Sequence, residues 1–89
     1  MNKEYMLLSI RNRIDILKQR IKDTISMKGY NKQSTAQFDR TKYKQELQLC
    51  ILLELLLLNC KTDTIDDEDA IKGFERLVNP MERHRRLKR

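Results

Sequence analysis

The chain has 89 residues, a formal net charge of +6, 39% hydrophobic residues, two glycines and one proline. This length allows a single domain with one modest core, and the scarcity of glycine and proline favours helices over a sheet. We expect no signal peptide, because the first residues lead into a charged amphipathic pattern. The sequence has neither a Gly-rich phosphate loop nor a nucleophile–histidine arrangement, which predicts a protein that is not an enzyme.

The first predicted helix covers residues 3–28. Its apolar residues recur with alternating spacings of three and four, at Leu7, Ile10, Ile14, Leu17 and Ile21. Thr24 occupies the next position of this pattern. A period near 3.5 indicates a long amphipathic helix with a narrow apolar seam. Gly29 follows, at a position where a left-handed residue can end a helix.

Residues 29–40 are polar and show no sustained period, which predicts a loop, with Asp39 or Thr41 capping the next helix. The second helix is predicted over residues 41–60. From Leu49 onward its apolar residues occur on every side, so we expect the other two helices to cover most of it. Any apolar patch that remains could be covered by a partner or a dimer. Leu52→Ala or Leu56→Ala should then destabilise the fold by about 2–5 kcal/mol.

The apolar stretch at residues 50–60 is too short to cross a membrane, since eleven helical residues span about 17 Å and a bilayer core about 30 Å. Its two ends are Cys50 and Cys60, which would lie about 15 Å apart on a helix and beyond the reach of a disulfide. Two unpaired cysteines favour a reducing, cytoplasmic compartment. His84 is the single histidine, so we predict neither a metal site nor a cofactor.

A third helix is predicted over residues 66–79. Asp66 is its expected N-cap, and further acidic residues fall in the first turn, where the helix dipole favours them. The apolar face contains Ile71, Phe74, Leu77 and Val78. Pro80 should end or kink the helix. The chain is therefore predicted to be all-α, an antiparallel three-helix bundle over residues 1–80 followed by a basic tail over 81–89.

Charge is distributed unevenly along the chain. Residues 1–48 carry eleven basic and five acidic side chains, residues 49–80 three basic and seven acidic, and the tail five basic and one acidic. The net charges are +6, −4 and +4. A uniformly basic nucleic-acid binder would show a different distribution.

The order of these elements resembles the BAG domain. The resemblance lies in the Leu-rich second helix ending at Leu58 and Asn59, the acidic linker, and the third-helix stretch IKGFERLVNPMER, which carries Lys72 and Arg76 and has Val78 at the family's valine step. It covers residues 7–86. This chain departs from the family in having Asn59 instead of an aspartate, fewer basic residues and no glutamine in the third helix, and Pro80 where that helix normally continues.

The resemblance implies a three-helix co-chaperone that binds the ATPase domain of a seventy-kilodalton heat-shock chaperone and promotes nucleotide release. The polar faces of the second and third helices would dock across the two lobes of that domain and favour its opened form. The partner-binding residues that this implies are Glu46, Asn59, Lys72 and Arg76. Each departure from the family's pattern should lower the affinity.

Two other functions remain open. The first is a nucleic-acid accessory protein that uses the basic tail, through Arg83, Arg85, Arg86, Lys88 and Arg89, to neutralise phosphates. Against it, the chain has no helix-turn-helix pair and no aromatic stacking motif. The second is a small adaptor or inhibitor, of a kind that phages or mobile elements encode, acting by protein–protein contact or as a homodimer through the seam of the first helix.

Overall fold

A computed structural model describes residues 1–79 of the chain. It contains three α-helices, α1 (Lys3–Ile25), α2 (Gln33–Asn59) and α3 (Glu68–Val78). The start of α1 lies beside the end of α2, where the side-chain Nζ of Lys3 donates a hydrogen bond to the carbonyl of Cys60. The end of α1 lies beside the start of α2, where Arg40 donates a hydrogen bond to Thr24. The two helices are therefore antiparallel. The predicted all-α, antiparallel three-helix bundle is confirmed.

The apolar core lies at the end of the bundle where α3 packs. It is formed by buried side chains from all three helices and from the α2–α3 connection: Met6, Ile10, Ile14, Leu17, Cys50, Leu53, Leu57, Ile65 and Phe74. The predicted seam of α1 is mostly confirmed, because its three central members are buried, as is Thr24. This seam packs inside the bundle, so its central residues are not on the surface of the folded chain.

The second helix begins eight residues earlier than predicted. Residues 33–40 belong to α2, and Asp39 and Thr41 lie inside the helix instead of capping it. The N-cap is Lys32, whose side chain forms no capping hydrogen bond. This first part of α2 is held by packing, because Ala36 is fully buried against the rest of the hairpin. A single buried alanine gives no apolar period, so the segment resembled a loop.

In contrast to α2, the other two helices are shorter than predicted. Helix α3 is capped by Asp67, not Asp66, and the Asp67 carboxylate accepts hydrogen bonds from the backbone N–H groups of Asp69 and Ala70. Helix α1 ends at Ile25, and the residue that adopts the left-handed conformation after it is Met27, with φ 63°. Gly29, at φ 82°, lies two residues later in the same turn.

A short backbone pairing joins the start of the chain to the α2–α3 connection. The N–H of Lys3 donates to the carbonyl of Asp63 at 2.9 Å, and the N–H of Ile65 donates to the carbonyl of Met1 at 2.7 Å. These bonds form an isolated antiparallel bridge between Asn2 and Thr64. We call this pairing the clasp, and it fixes the connection that leads into α3.

The prediction that α1 and α3 cover most of the leucine-rich half of α2 is wrong. Leu52 and Leu56, which were expected in the core, are exposed. Two neighbouring helices contact only about half of the circumference of a third. In addition, α3 has 11 residues against 27 in α2, so it is about 17 Å long beside a helix of about 40 Å. The apolar half of α2 therefore has one buried and one open side.

Candidate protein-binding surface

The main surface feature of the molecule is an exposed apolar face on α2. It is formed by six large side chains, each between 39% and 68% exposed, which we call the leucine face: Leu49, Ile51, Leu52, Leu55, Leu56 and Leu58. The residues between them that face α1 and α3 are Cys50, Leu53 and Leu57, all buried. At about 100° per residue, the six exposed positions cover the whole outward side of the helix from residue 49 to residue 58.

The leucine face carries no charge. Glu54 is the single charged residue between Leu49 and Asn59. Its Oε2 accepts a hydrogen bond from Nε of Arg11 at 2.8 Å, in an ion pair that draws the carboxylate toward α1. A partner that covers the leucine face would therefore not have to desolvate an ionised group at its centre.

Glu46 was expected to contact a partner, but the structure engages it inside the bundle. Its Oε2 accepts a hydrogen bond from Nη2 of Arg13 at 3.3 Å. Arg13 is only 7% exposed, and its Nε has no hydrogen-bond partner among the described residues. Glu46 therefore compensates a buried cation, and its removal would leave that charge unpaired.

The other three expected partner contacts are exposed. Asn59 is the last residue of α2, and Lys72 and Arg76 lie four residues apart, on one face of α3. Neither basic residue takes part in an ion pair within residues 1–79. The five basic residues of the tail, which were expected to bind nucleic acid, lie outside the described residues.

The two cysteines have different environments. Cys50 is fully buried, and desolvation raises the pKa of its thiol. Cys60 is half-buried just after α2, and its Sγ lies 3.1 Å from Oγ1 of Thr62. Hydrogen bonding of the thiol with the hydroxyl and the backbone of Thr62 lowers the pKa of Cys60. Cys60 is thus the more reactive of the two.

A groove lies between α1 and α3, near the core. It encloses about 290 Å³ and is lined by side chains that include Tyr5, Asn12, Arg13 and Phe74. The described residues that line it include no histidine, cysteine or aspartate. Its lining also includes the hydroxyl of Ser9 and the carboxylate of Glu75.

Two further classes of site are absent from residues 1–79. No group of three or more His, Cys, Asp or Glu side chains in this range could hold a metal ion. None of the three helices combines the length and the apolar character that crossing a membrane requires. The leucine face is therefore the strongest candidate site in the described part of the chain.

The expected site residues were polar, and the leucine face was not among them. One signal in the sequence pointed to it. A first helix with a narrow apolar seam can cover only a narrow strip of its neighbour, while the second helix is apolar on every side from residue 49. More apolar surface was therefore present on the second helix than the first could bury.

Comparisons with known proteins gave no relative for this chain. No protein-family model, no curated protein and no solved structure matches it.

Proposed function

We propose that this chain is a non-catalytic protein-binding module, an adaptor or inhibitor, that docks through the leucine face of α2. The observation that carries the proposal is the presence of six exposed leucine and isoleucine side chains on one side of one helix. Together they expose on the order of 500 Å² of apolar surface. The largest apolar patch of an ordinary monomer is about 300–600 Å², and patches at the upper end of that range are often binding sites.

The shape and chemistry of the face favour a protein as the ligand. It is the convex side of a helix, so it offers no cavity that encloses a small molecule. Apolar side chains at spacings of three and four along one helix face are the usual anchors for a groove or for another helix. Gln48 and Asn59, at the two ends of the face, provide polar groups for its rim.

The test compares the wild-type chain with a Leu52→Gln/Leu56→Gln variant in affinity capture from cells that produce the protein. Both positions are exposed, so circular dichroism should show an unchanged fold. The control is Ile25→Gln, which alters an equally exposed apolar residue at the far end of α1. We expect a protein that the wild type and the control retain and the double variant loses. Equal retention by all three chains would refute the proposal.

A BAG-like co-chaperone is our second candidate function. It is supported by the exposure of Asn59, Lys72 and Arg76, the residues that the resemblance assigns to the contact with the chaperone. Against it, Glu46, one of the four expected contacts, is already paired with Arg13 in the free chain. On this hypothesis the chain binds an isolated heat-shock ATPase domain and accelerates the release of a labelled nucleotide without hydrolysing it.

The charge reversal Lys72→Glu/Arg76→Glu should weaken this binding, because interface charges set both the encounter rate and the complementarity. Asn59→Asp should leave it unchanged or strengthen it. The matched control is Lys18→Glu/Lys22→Glu, an exposed pair with the same spacing on α1. If no complex forms at about 50 μM, the co-chaperone function is refuted and the leucine-face proposal is unaffected.

A further inference from the structure

We infer that the partner of the leucine face is a second copy of this chain, and that the two α2 helices pack antiparallel in a homodimer. This inference rests on the proposed function, because it names the protein that the leucine face binds. Three observations support it: the apolar area of the leucine face, the position of the apolar run along α2, and the charges beyond the two ends of that run.

The area of the leucine face suits a small symmetric interface. A standard interface buries about 800 Å² on each partner, and the leucine face supplies on the order of 500 Å² of that as uncharged apolar surface. The remainder is available from the polar and charged residues at the two ends of the face. Because no ionised group lies at its centre, two copies can meet there despite the net charge of +6 on each chain.

Two copies of the apolar run match each other best when the two α2 helices are antiparallel. It extends from Leu49 to Leu58 and is centred between residues 53 and 54. Full overlap of two antiparallel runs places Leu52 beside the partner's Leu55. The same register places Gln48 beside the partner's Asn59, so that the two amide side chains meet at each end of the interface and can exchange hydrogen bonds.

The flanking charges distinguish the two orientations. The exposed Lys42 and Lys44 precede the leucine face. One exposed lysine, Lys61, and three exposed aspartates follow it: Asp63, Asp66 and Asp67. In the antiparallel register the end of each α2 that carries Lys42 and Lys44 approaches the partner's α2–α3 connection, which is acidic overall. A parallel dimer would place lysines beside lysines and aspartates beside aspartates, which is unfavourable.

Cysteine cross-linking tests the orientation directly. In a Cys60→Ser background, which leaves only the buried Cys50, the Gln48→Cys/Asn59→Cys variant should form covalent dimers with a short thiol-specific cross-linker. Gln48→Cys alone should not, because antiparallel helices would hold the two introduced thiols about 16 Å apart. Residues 48 and 59 of one chain are also about 16 Å apart, so a short cross-linker does not join them within the chain. Cross-linking of the Gln48→Cys variant by itself would indicate a parallel dimer and overturn the inference.

Sedimentation velocity tests the dimer itself. The wild-type chain should show a concentration-dependent monomer–dimer equilibrium. Leu52→Glu/Leu55→Glu should weaken dimerisation by at least about 100-fold, because it would bury four carboxylates at the interface. Ile25→Glu, outside the leucine face, should change it less than about threefold. A chain that stays monomeric but captures another protein through residues 52 and 56 would overturn the homodimer and leave the proposed function standing.

The flanking charges can be tested by exchange. Lys44→Glu should weaken the dimer about threefold to tenfold, since each dimer brings two basic helix ends near acidic connections. Adding Asp63→Lys should restore most of the loss, because the exchanged charges again attract each other. If adding Asp63→Lys weakened the dimer further instead of restoring its affinity, the antiparallel register would be contradicted.

Discussion

Leu56 and Leu57 are adjacent in the sequence and identical in chemistry, but they differ in environment. Leu57 is 3% exposed and belongs to the core, while Leu56 is 68% exposed on the leucine face. A helix turns about 100° between them, which is enough to move a side chain from the interior to the solvent. At the scale of one residue, the position around α2 determines whether a leucine contributes to stability or to binding.

The first prediction compares these two leucines. Leu57→Ala should lower the free energy of unfolding by about 2–5 kcal/mol, because it opens a cavity in the core. Leu56→Ala should change it by less than about 0.5 kcal/mol, since the side chain is already exposed and alanine favours helix. Urea unfolding should be followed at a protein concentration low enough to keep the chain monomeric. A similar loss in both variants would contradict the exposed leucine face.

The second prediction concerns thiol reactivity. At neutral pH, iodoacetamide should modify one thiol per chain, and mass spectrometry should locate it at Cys60. Thr62→Val removes the hydroxyl that lowers the pKa of the Cys60 thiol, so alkylation should become slower. In urea both cysteines should react, which serves as the control. Faster modification of Cys50 in the native chain would be inconsistent with its burial.

At the scale of elements, the end of α1 and the start of α2 hold each other in place. Nε of Arg40 donates to Oγ1 of Thr24, and its Nη2 donates to the backbone carbonyl of the same residue, both at 3.1 Å. This places a cation from α2 at the C-terminus of α1, where the helix dipole favours it and unpaired carbonyls remain. Such a cap from a distant residue cannot be detected in a local sequence pattern, which is a second reason why residues 33–40 resembled a loop, besides their lack of an apolar period.

The third prediction tests the turn between these helices. Met27→Gly should raise the stability by about 0.5–1 kcal/mol, because glycine adopts the left-handed conformation of residue 27 without the steric penalty of a side chain. Lys28→Gly is the control, since that neighbour does not have a positive φ and should lose stability through backbone entropy. Thermal unfolding of both variants gives the comparison. Destabilisation by Met27→Gly would mean that packing of the methionine outweighs the strain.

The fourth prediction concerns the pH dependence of the same region. The hydroxyl of Tyr30 donates to Oδ2 of Asp39 at 2.8 Å, and this hydrogen bond, together with burial, raises the pKa of Tyr30 to about 12. A raised pKa means that the fold favours the neutral phenol. The contribution to stability is therefore complete below about pH 10, the ordinary pKa, and is lost as the pH rises toward 12.

This dependence can be measured from the ultraviolet absorbance of tyrosinate during an alkaline titration. The difference between the wild type and Tyr30→Phe isolates the titration of Tyr30 from that of the other two tyrosines. Asp39→Ala should move the pKa of Tyr30 back toward its ordinary value. An unchanged titration in Asp39→Ala would show that the hydrogen bond is not the main cause of the shift.

At the scale of the whole molecule, the core is concentrated at one end. Helix α3 and the apolar cluster occupy the end that contains the first turns of α1, while the opposite end is held mainly by Ala36, Thr24 and polar contacts. Local stability follows the density of buried apolar contacts. The fifth prediction is therefore that amide hydrogens in residues 18–25 and 36–44 exchange faster than those in residues 6–17 and 50–57. Uniform protection along α1 would contradict it.

The fold was predictable from the sequence because three amphipathic or apolar segments can bury their apolar surface only against one another. The spacing of Ile10, Ile14 and Leu17 indicated which side of α1 faces the core, and the structure confirms it. The leucine half of α2 has no such asymmetry, since apolar residues occur on all sides. Its inward side is set by where α1 and α3 lie, which depends on tertiary packing, and so the exposed face could not be assigned to particular residues.

The clasp has a consequence for the order of folding. The hairpin of α1 and α2 can form from contacts that grow outward from its turn, whereas the clasp joins residues 64 positions apart, as in the bond between Met1 and Ile65. Closing so long a loop has an entropic cost that falls greatly once the hairpin has brought the two segments together. We therefore expect the clasp to close late, and α3, whose connection it fixes, to dock last and to detach first.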